Sequence, residues 1–523
     1  MAETYLGLDF STQQLKAVLT NKDLAVVHTA EVTYSIELPE FGTQNGIISH
    51  ADGETVTSPT LMWVKAFDKL LEKLKSQKEV DISSIKAISG CGQQHGSVFW
   101  RKGSSSTLAN LDPSKTLAHQ LSNAFSQEQS AIWMDSSTND ECELLEVAGG
   151  GREHLVKVTG SRAFHRFTGA QIAKVSYKEP HIYHETERIS LVSSFACSLL
   201  IGKYASIDFA DGSGMNLLDI NKRDWDHQLL NACGSKLEEK LGKPVPTSSI
   251  AGKVASYYVK RYGFSADCDV VTFTGDNPSS LAGVNLHKGD VAVSCGTSDT
   301  IFASINKPAP AMEGHVFCNP VEEKGYMVML CFKNGSLTRD RIRLATGCKS
   351  WDDFNVLLDK TAPGNSMNIG FYFDHPEILP HVAAGDYRFD PEQGVVDTFP
   401  PEVEARAVIE HQCLSKRTHA EQLGYKVGGR VVVTGGASAN KHILQVLADV
   451  FKSEVFVLDV VNSAALGGCF RAKHVSAEHE KSFGDVAASG VQMISAAKPH
   501  EQNFAVYDKM ATHYTILETS LMQ

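Results

Sequence analysis

Asp276 and Asn277 stand in the stretch 269–283, DVVTFTGDNPSSLAG. Val270, Val271 and Phe273 form an apolar run that reads as a buried strand. The run stops at Thr274-Gly275, and Pro278 suits the first turn of a following helix. A carboxylate between a strand end and a helix start lies where open α/β sheets place their chemistry. The positive end of a helix favours an anion, so Asp276 is expected to be ionised and able to accept a proton. The same pattern also describes a plain helix cap.

A second carboxylate ends the strand 4–10, TYLGLDF. Asp9 is followed by the polar turn Ser11-Thr12-Gln13-Gln14 and a returning strand at 15–20. Backbone N–H groups and hydroxyls in such a turn can face phosphate, with Lys16 adding positive charge and Asp9 holding magnesium through water. A polar hairpin with no ligand would look the same. The pattern returns at 290–300, DVAVSCGTSDT, where Gly296-Thr297-Ser298 echoes Ser11-Thr12. Two such hairpins point to two domains with similar cores, each able to handle phosphate.

Three further stretches offer ligand chemistry. Cys91-Gly92-Gln93-Gln94-His95-Gly96 is a glycine-bracketed polar loop. His95 occupies the third glycine position of G-x-G-x-x-G, so a dinucleotide fingerprint is not met. Amides and an imidazole there suit hydrogen bonds to hydroxyls, or a loop histidine satisfied by its neighbours. GSRAFHR at 160–166 carries Arg166 near a turn, as a ligand contact or a solvated cation. Thr434-Gly435-Gly436 precedes Asn440, a good N-cap for a helix at 441–451. Paired glycines before a helix let a flat ring or a phosphate approach the backbone, though a simple strand-to-helix turn reads alike.

The elements that must position these groups alternate between strand and helix. Residues 57–75 put Leu61, Val64, Phe67, Leu70, Leu71 and Leu74 on one helical face. Strands are expected at 85–90, 97–100, 430–434 and 455–460. Helices are expected at 141–148, 152–158, 167–178, 189–200, 255–262, 338–343, 351–358, 463–472 and, as a long amphipathic one, 403–423. Residues 101–130, rich in Ser, Gln and Asn, look like a surface insertion. A chain of 523 residues is too long for one core.

Composition excludes several classes. The net charge of −12 argues against a general nucleic-acid binder. No apolar run is long enough to span a membrane, and MAETYLGLDFSTQQ shows no secretory leader. The 11 cysteines are scattered, without a C-x-x-C pair, which fits free thiols in a reducing cytoplasm. P-loop, zinc-peptidase and α/β-hydrolase signatures are absent.

LGLDFSTQQLK, SGCGQQHGS, WMDSST, GSRAFHRFTGAQIAK, RISLVSSFACSLLIG, DGSGMNLL, TGDNPSSLAG, VAVSCGTSDT, LCFKNGSL and VVVTGGASANKHILQVLADVF follow one another along nearly the whole chain. In that order the sequence resembles the FGGY carbohydrate kinases. The resemblance implies an α/β, two-domain actin-like or ribonuclease H-like fold with an interdomain catalytic cleft. Residues 1–286 would bind sugar and carry the base and the first phosphate turn; residues 287–523 would bind nucleotide. It implies ATP and Mg2+ as cofactors and a small-molecule ketose as substrate, with no nucleic-acid or membrane partner. D-xylulose, phosphorylated at O5, is the expected acceptor; ribulose, gluconate and glycerol stay open. A catalytically silent nucleotide or sugar sensor is the reading that Asp9 and Asp276 speak against.

Carried over by motif, Asp276 would be the general base and Asn277 would orient the sugar. Gln94, His95 and Arg166 would bind sugar. Asp9 would organise the metal. Thr12 and Thr297 would sit on the phosphate turns, and Trp351, Gly435, Gly436 and Asn440 would line the adenosine. Two departures stand out. The family's Asp-x-Gly-Thr has Ser11 in place of glycine, which would be strained if that position needs a positive φ. The family's W-x-D-x-R lacks its arginine here, so Asp135 receives no role.

Overall fold

The computed structural model describes residues 3–458 and 462–522. The chain divides into two compact units. Unit 1 comprises 1–285 with the returning segments 317–325 and 461–491; unit 2 comprises 286–316, 326–460 and 492–523. Among the described residues no helix is long and apolar enough to cross a membrane. All eleven cysteines are free thiols.

Unit 1 is built on a mixed sheet. β1 (Thr4–Phe10), β2 (Gln14–Asn21) and β3 (Val26–Thr33) form an antiparallel meander. β4 (Ile85–Gly92) lies parallel to β1, and β6 (Asp269–Val271) parallel to β4. β5 (Ile250–Lys253) closes the edge antiparallel to β6. β1 is buried along its whole length, as a central strand with both faces covered must be. The helix α1 (Thr60–Ser76) lays Trp63, Phe67, Leu70, Leu71 and Leu74 into the core beside Phe10.

Residues 101–130 depart from the expected surface insertion. Leu108, Leu117, Leu121 and Phe125 are buried in that same core, and Asp68 on α1 accepts the backbone N–H groups of Leu117 and Ala118 at 2.9 and 2.8 Å. With Ala124, these apolar residues suffice to anchor a polar stretch. The helix expected at 189–200 splits into a strand, Thr186–Leu191, and α2 (Val192–Ile201), which is buried on every side.

α3 (Asp276–Gly283) starts directly after Gly275. It packs on the returning helix Ser463–Ala477 at backbone contact. A Cβ on Gly283 would meet the Ser463 carbonyl oxygen at 1.9 Å, and one on Gly467 would meet the Ser279 carbonyl oxygen at the same distance. Ser279 donates its hydroxyl to the Ala464 carbonyl at 2.7 Å. Only glycine permits this approach.

Unit 2 repeats the plan. β7 (Val291–Cys295), β8 (Asp299–Ile305) and β9 (Tyr326–Phe332) form an antiparallel meander. β10 (Val431–Gly435) lies parallel to β7, β11 (Val455–Val457) parallel to β10, and β12 (Ile494–Ala497) antiparallel to β11. The two hairpins that echo each other in sequence therefore occupy equivalent places in two like sheets. The strand expected at 455–460 ends at Val457; residues 459 and 460 lie outside the described residues.

Helices α4 (Ser336–Ala345), α5 (Trp351–Leu358), α6 (Pro401–Gln422) and α7 (Lys441–Phe451) belong to unit 2. α6 differs from its expected amphipathic character: every residue from Glu404 to Ala420 is buried. Its charges each meet a group of opposite sign, although Lys416 shares its carboxylate with Arg339. Glu404 meets Arg388, Arg406 meets Glu410 four residues on, Lys416 meets Asp299, and Arg417 meets Asp508.

Gly467→Ala is expected to destabilise the chain by about 1–3 kcal/mol, because overpacking against a backbone carbonyl cannot be relieved by a rotamer change. Urea unfolding of the variant checks it. Unchanged stability would show that the two helices are not fixed by that contact.

Candidate active site

Asp9 is the penultimate residue of β1 and is buried. Its Oδ2 accepts the Ser11 hydroxyl at 2.6 Å and its Oδ1 the Cys91 thiol at 3.4 Å. Burial raises its pKa, opposed by Ser11, Lys16 and Cys91. Ser11 is absent from the residues with positive φ, so serine is not strained where the family has glycine. Its hydroxyl instead orients Asp9.

Thr12 stands on the same turn and donates to the Gln93 side-chain carbonyl at 3.3 Å. The indole N–H of Trp133 donates to the Thr12 hydroxyl at 2.9 Å, although the ring itself is exposed. No signal in the sequence joined Trp133 to Thr12, because the contact spans more than a hundred residues. Asp135, two residues on, is a loop anchor. It accepts from the backbone N–H of Val56 at 3.0 Å and from Gln171 at 2.7 Å.

His95 takes a left-handed backbone with φ 71° at the position where the near-fingerprint loses its glycine. Three contacts hold it there. Its Nδ1 lies 2.9 Å from the Gly214 carbonyl, its own carbonyl accepts the Thr168 hydroxyl at 3.0 Å, and its ring stacks on Phe167 at 4.4 Å. A carbonyl only accepts, so Nδ1 carries the proton and Nε2 is left as an acceptor. Burial, assisted by Arg166, pushes its pKa down to about 3, so the ring is neutral at physiological pH. Arg166 is half-buried, with its guanidinium 5.5 Å from the Phe164 ring.

Asp276 and Asn277 occupy the first turn of α3. Asp276 Oδ1 accepts the Asn277 backbone N–H at 2.8 Å and its side-chain amide at 3.3 Å. The same amide donates to the Gln94 side-chain carbonyl at 2.9 Å, which ties α3 to the His95 loop. The expectation of a fully ionised Asp276 needs correction. Burial first, and the charge of Asp9 second, lift its pKa to about 7, outweighing the backbone N–H groups that lower it. The favourable field of the helix N-terminus is outweighed here by desolvation.

The donor set around Asp9 suits a hard cation that leans on phosphate and water. Among the described residues no group of three His, Cys, Asp or Glu forms a protein cage for a metal. One carboxylate with water and phosphate oxygens is the usual way that magnesium is held.

In unit 2 a cavity of about 580 Å³ is lined by Gly296, Arg339, Trp351, Asn355, Gly436 and Asn440, among others. Asn440 caps α7, accepting the N–H groups of His442 and Ile443 at 3.0 and 3.3 Å, and donates its amide to Asn355 at 2.9 Å. Gly435 has φ 85° and packs on β7, where a Cβ would meet the Cys295 carbonyl oxygen at 2.4 Å. Gly436 faces open space. Thr297 is exposed, and its carbonyl accepts the Gly335 N–H at 3.1 Å. The structure thus places Asp9, Thr12, Gln94, His95, Arg166, Asp276 and Asn277 in unit 1, and Thr297, Trp351, Gly435, Gly436 and Asn440 in unit 2.

The N-terminal domain of the FGGY family of carbohydrate kinases matches residues 121–283, and its C-terminal domain matches 291–474. The chain belongs to the FGGY family of carbohydrate kinases. It is 51% identical over 520 residues to the xylulose kinase of Mus musculus, covering 99% of this chain and 94% of that protein. It is 47% identical over 484 residues to xylulose kinase 2 of Arabidopsis thaliana, covering 90% and 87%. The solved xylulose kinase of Rhodospirillum rubrum superposes with a TM-score of 0.79 at 16% identity, covering 99% of both chains. Plasmodium falciparum glycerol kinase with ADP superposes at 0.76 and 16% identity, covering 100% and 99%. These structures share the FGGY fold.

Asp276 yields a stability prediction with a definite sign. Its folded pKa lies above the unfolded value of about 4, so the folded chain holds a proton that the unfolded chain releases. Stability is therefore lost as pH rises from about 4 to about 7 and stays low above that. Asp276→Asn is expected to gain about 1–2 kcal/mol at pH 8, since partial exposure screens the penalty, and nothing at pH 4. Denaturant unfolding at the two pH values checks this. A variant less stable than the parent at pH 8 would contradict it.

Proposed function

We propose that this carbohydrate kinase transfers the γ-phosphoryl group of ATP to O5 of D-xylulose, giving xylulose 5-phosphate and ADP. The observation that carries the catalytic part is Asp276: a carboxylate with its pKa at about 7, next to Asn277 and tied through Gln94 to His95. The sugar assignment is supported by relatives that are named xylulose kinases at about half identity over nearly the full chain.

In this reading the ketose binds against His95, Arg166 and Asn277. The neutral His95 accepts a sugar hydroxyl at Nε2, because Nδ1 is committed to Gly214. Arg166 donates to a hydroxyl or carbonyl oxygen. Asp276 accepts the proton of the attacking hydroxyl, a contribution of typically 10²–10⁴-fold. A pKa near 7 suits that task, because the group is a stronger base than an ordinary carboxylate while still ionised in a useful fraction. Trp351, Gly436 and Asn440 hold the adenosine, and the turns at Thr12 and Thr297 offer hydroxyls and backbone N–H groups to phosphate. Asp9 would hold Mg2+ through water, where the ion supplies positive charge for the phosphate oxygens. The remaining demand of phosphoryl transfer is in-line positioning with water excluded, not covalent chemistry.

A coupled assay of ADP release with D-xylulose, D-ribulose, L-xylulose, gluconate and glycerol tests the substrate. D-xylulose is expected to give a kcat/KM at least tenfold above the others, since a site built for particular hydroxyls leaves its polar groups unpaired with the wrong sugar. A higher value with any other acceptor would replace xylulose. No sugar-dependent ADP release with any of the five would contradict the reading.

A further inference from the structure

Unit 2 contains a buried ionic cluster that the assignments above leave unused. Asp299 opens β8 immediately after the Gly296-Thr297-Ser298 turn and has no solvent exposure. Its Oδ2 accepts from Arg339 Nη1 at 2.8 Å and from Lys416 Nζ at 2.7 Å. Arg339 on α4 and Lys416 on α6 are both more than nine-tenths buried. The cluster therefore has two cations and one carboxylate.

The neighbouring groups do not balance it. Gln412 accepts from Arg339 at 2.6 Å through its side-chain carbonyl, and its backbone carbonyl accepts from Lys416 at 3.1 Å, but an amide carries no charge. Burial pushes the adjacent Cys295 and Cys413 thiols up to about 11 and about 12, so both are neutral at physiological pH. Of the buried carboxylates nearby, Glu410 is paired with Arg406, and Glu377 is occupied by the N–H groups of Lys333 and Asn334 and the Asn334 amide, at 2.8 to 3.1 Å. Lys416 rests 5.4 Å from the Phe332 ring, a weak partner.

The surplus charge lies against the turn and the cavity. Arg339 lines the cavity together with Gly296, Gly436 and Asn440. A Cβ on Gly335 would meet the carbonyl oxygens of Gly296 and Thr297 at 2.6 Å and Asp299 Oδ1 at 2.8 Å. Turn, carboxylate and the start of α4 are therefore in direct contact. An unmatched cation is costly to bury, so one in this position needs an anion to justify it. In a low-dielectric interior its field acts on nearby charge with little screening.

We propose that Asp299, Arg339 and Lys416 form a buried cationic support beneath the Gly296-Thr297-Ser298 turn, whose single surplus charge makes the cavity of unit 2 select ligands by their phosphate charge. Lys416 acts as a positioning residue, through Asp299 and the turn. The inference rests on the reading of this cavity as the nucleotide site.

Calorimetric titration of the full chain with adenosine, ADP and ATP tests it. Lys416→Met keeps the apolar stem and leaves a neutral Arg339–Asp299 pair. It is expected to weaken ATP about tenfold and ADP by less, while adenosine stays within about twofold. The double variant Asp299→Asn/Lys416→Met disturbs the same packing but restores one surplus charge on Arg339. Its ATP-to-adenosine affinity ratio is expected to return to within about threefold of the parent. Lys416→Gln carries the same charge test if Lys416→Met does not fold. Equal weakening of all three ligands in the single variant, or a double variant no better than the single, would overturn the proposal. A parent chain that binds none of the three overturns the nucleotide reading beneath it, which is a different result.

Discussion

Two helices meeting backbone to backbone decide where Asp276 stands. α3 and the returning helix Ser463–Ala477 touch at Gly283 and Gly467, where any side chain would collide with a carbonyl oxygen. That contact leaves α3 no room to slide, and the Ser279 hydroxyl on Ala464 fixes its register. Asp276 at the front of α3 is then held where water is scarce and Asp9 is close enough to be felt. The raised pKa follows from placement. A carboxylate with the same neighbours on a looser helix would recover solvent and return to its ordinary range.

The same logic runs through His95. Its left-handed backbone costs energy, and the Gly214 carbonyl, the Thr168 hydroxyl and the Phe167 ring all hold it. The product is a neutral imidazole with a defined tautomer. Together with Asn277, which bridges Gln94 and Asp276, it makes a set of donors and acceptors whose orientations are settled before a ligand arrives. Preorganisation of this kind is what a hydroxyl-rich ligand needs if one sugar is to be told from another.

Much of this was legible in the sequence, because it is local. Asp9 and Asp276 at strand ends, the cap at Asn440 and the two echoing hairpins all depend on neighbours within a few residues. What escaped is long-range. Trp133 reaches Thr12 across the chain, and 461–491 returns to unit 1 after all of β7 to β11. α6 was legible as a helix and not as a buried one, since its Glu404, Lys416 and Arg417 find their partners in distant segments. Residues 101–130 look polar overall, while five apolar side chains carry them into the core. The direction of the Asp276 shift escaped too, because a helix end is visible in sequence and desolvation is not.

The central claim is that one desolvated carboxylate takes the proton from the sugar hydroxyl. Sugar-dependent ADP release by Asp276→Asn, with folding confirmed by unchanged circular dichroism, tests it most directly. The account predicts kcat lowered about 10²–10⁴-fold with the KM for ATP changed little. A folded Asp276→Asn chain that turns over within a few-fold of the parent would contradict it.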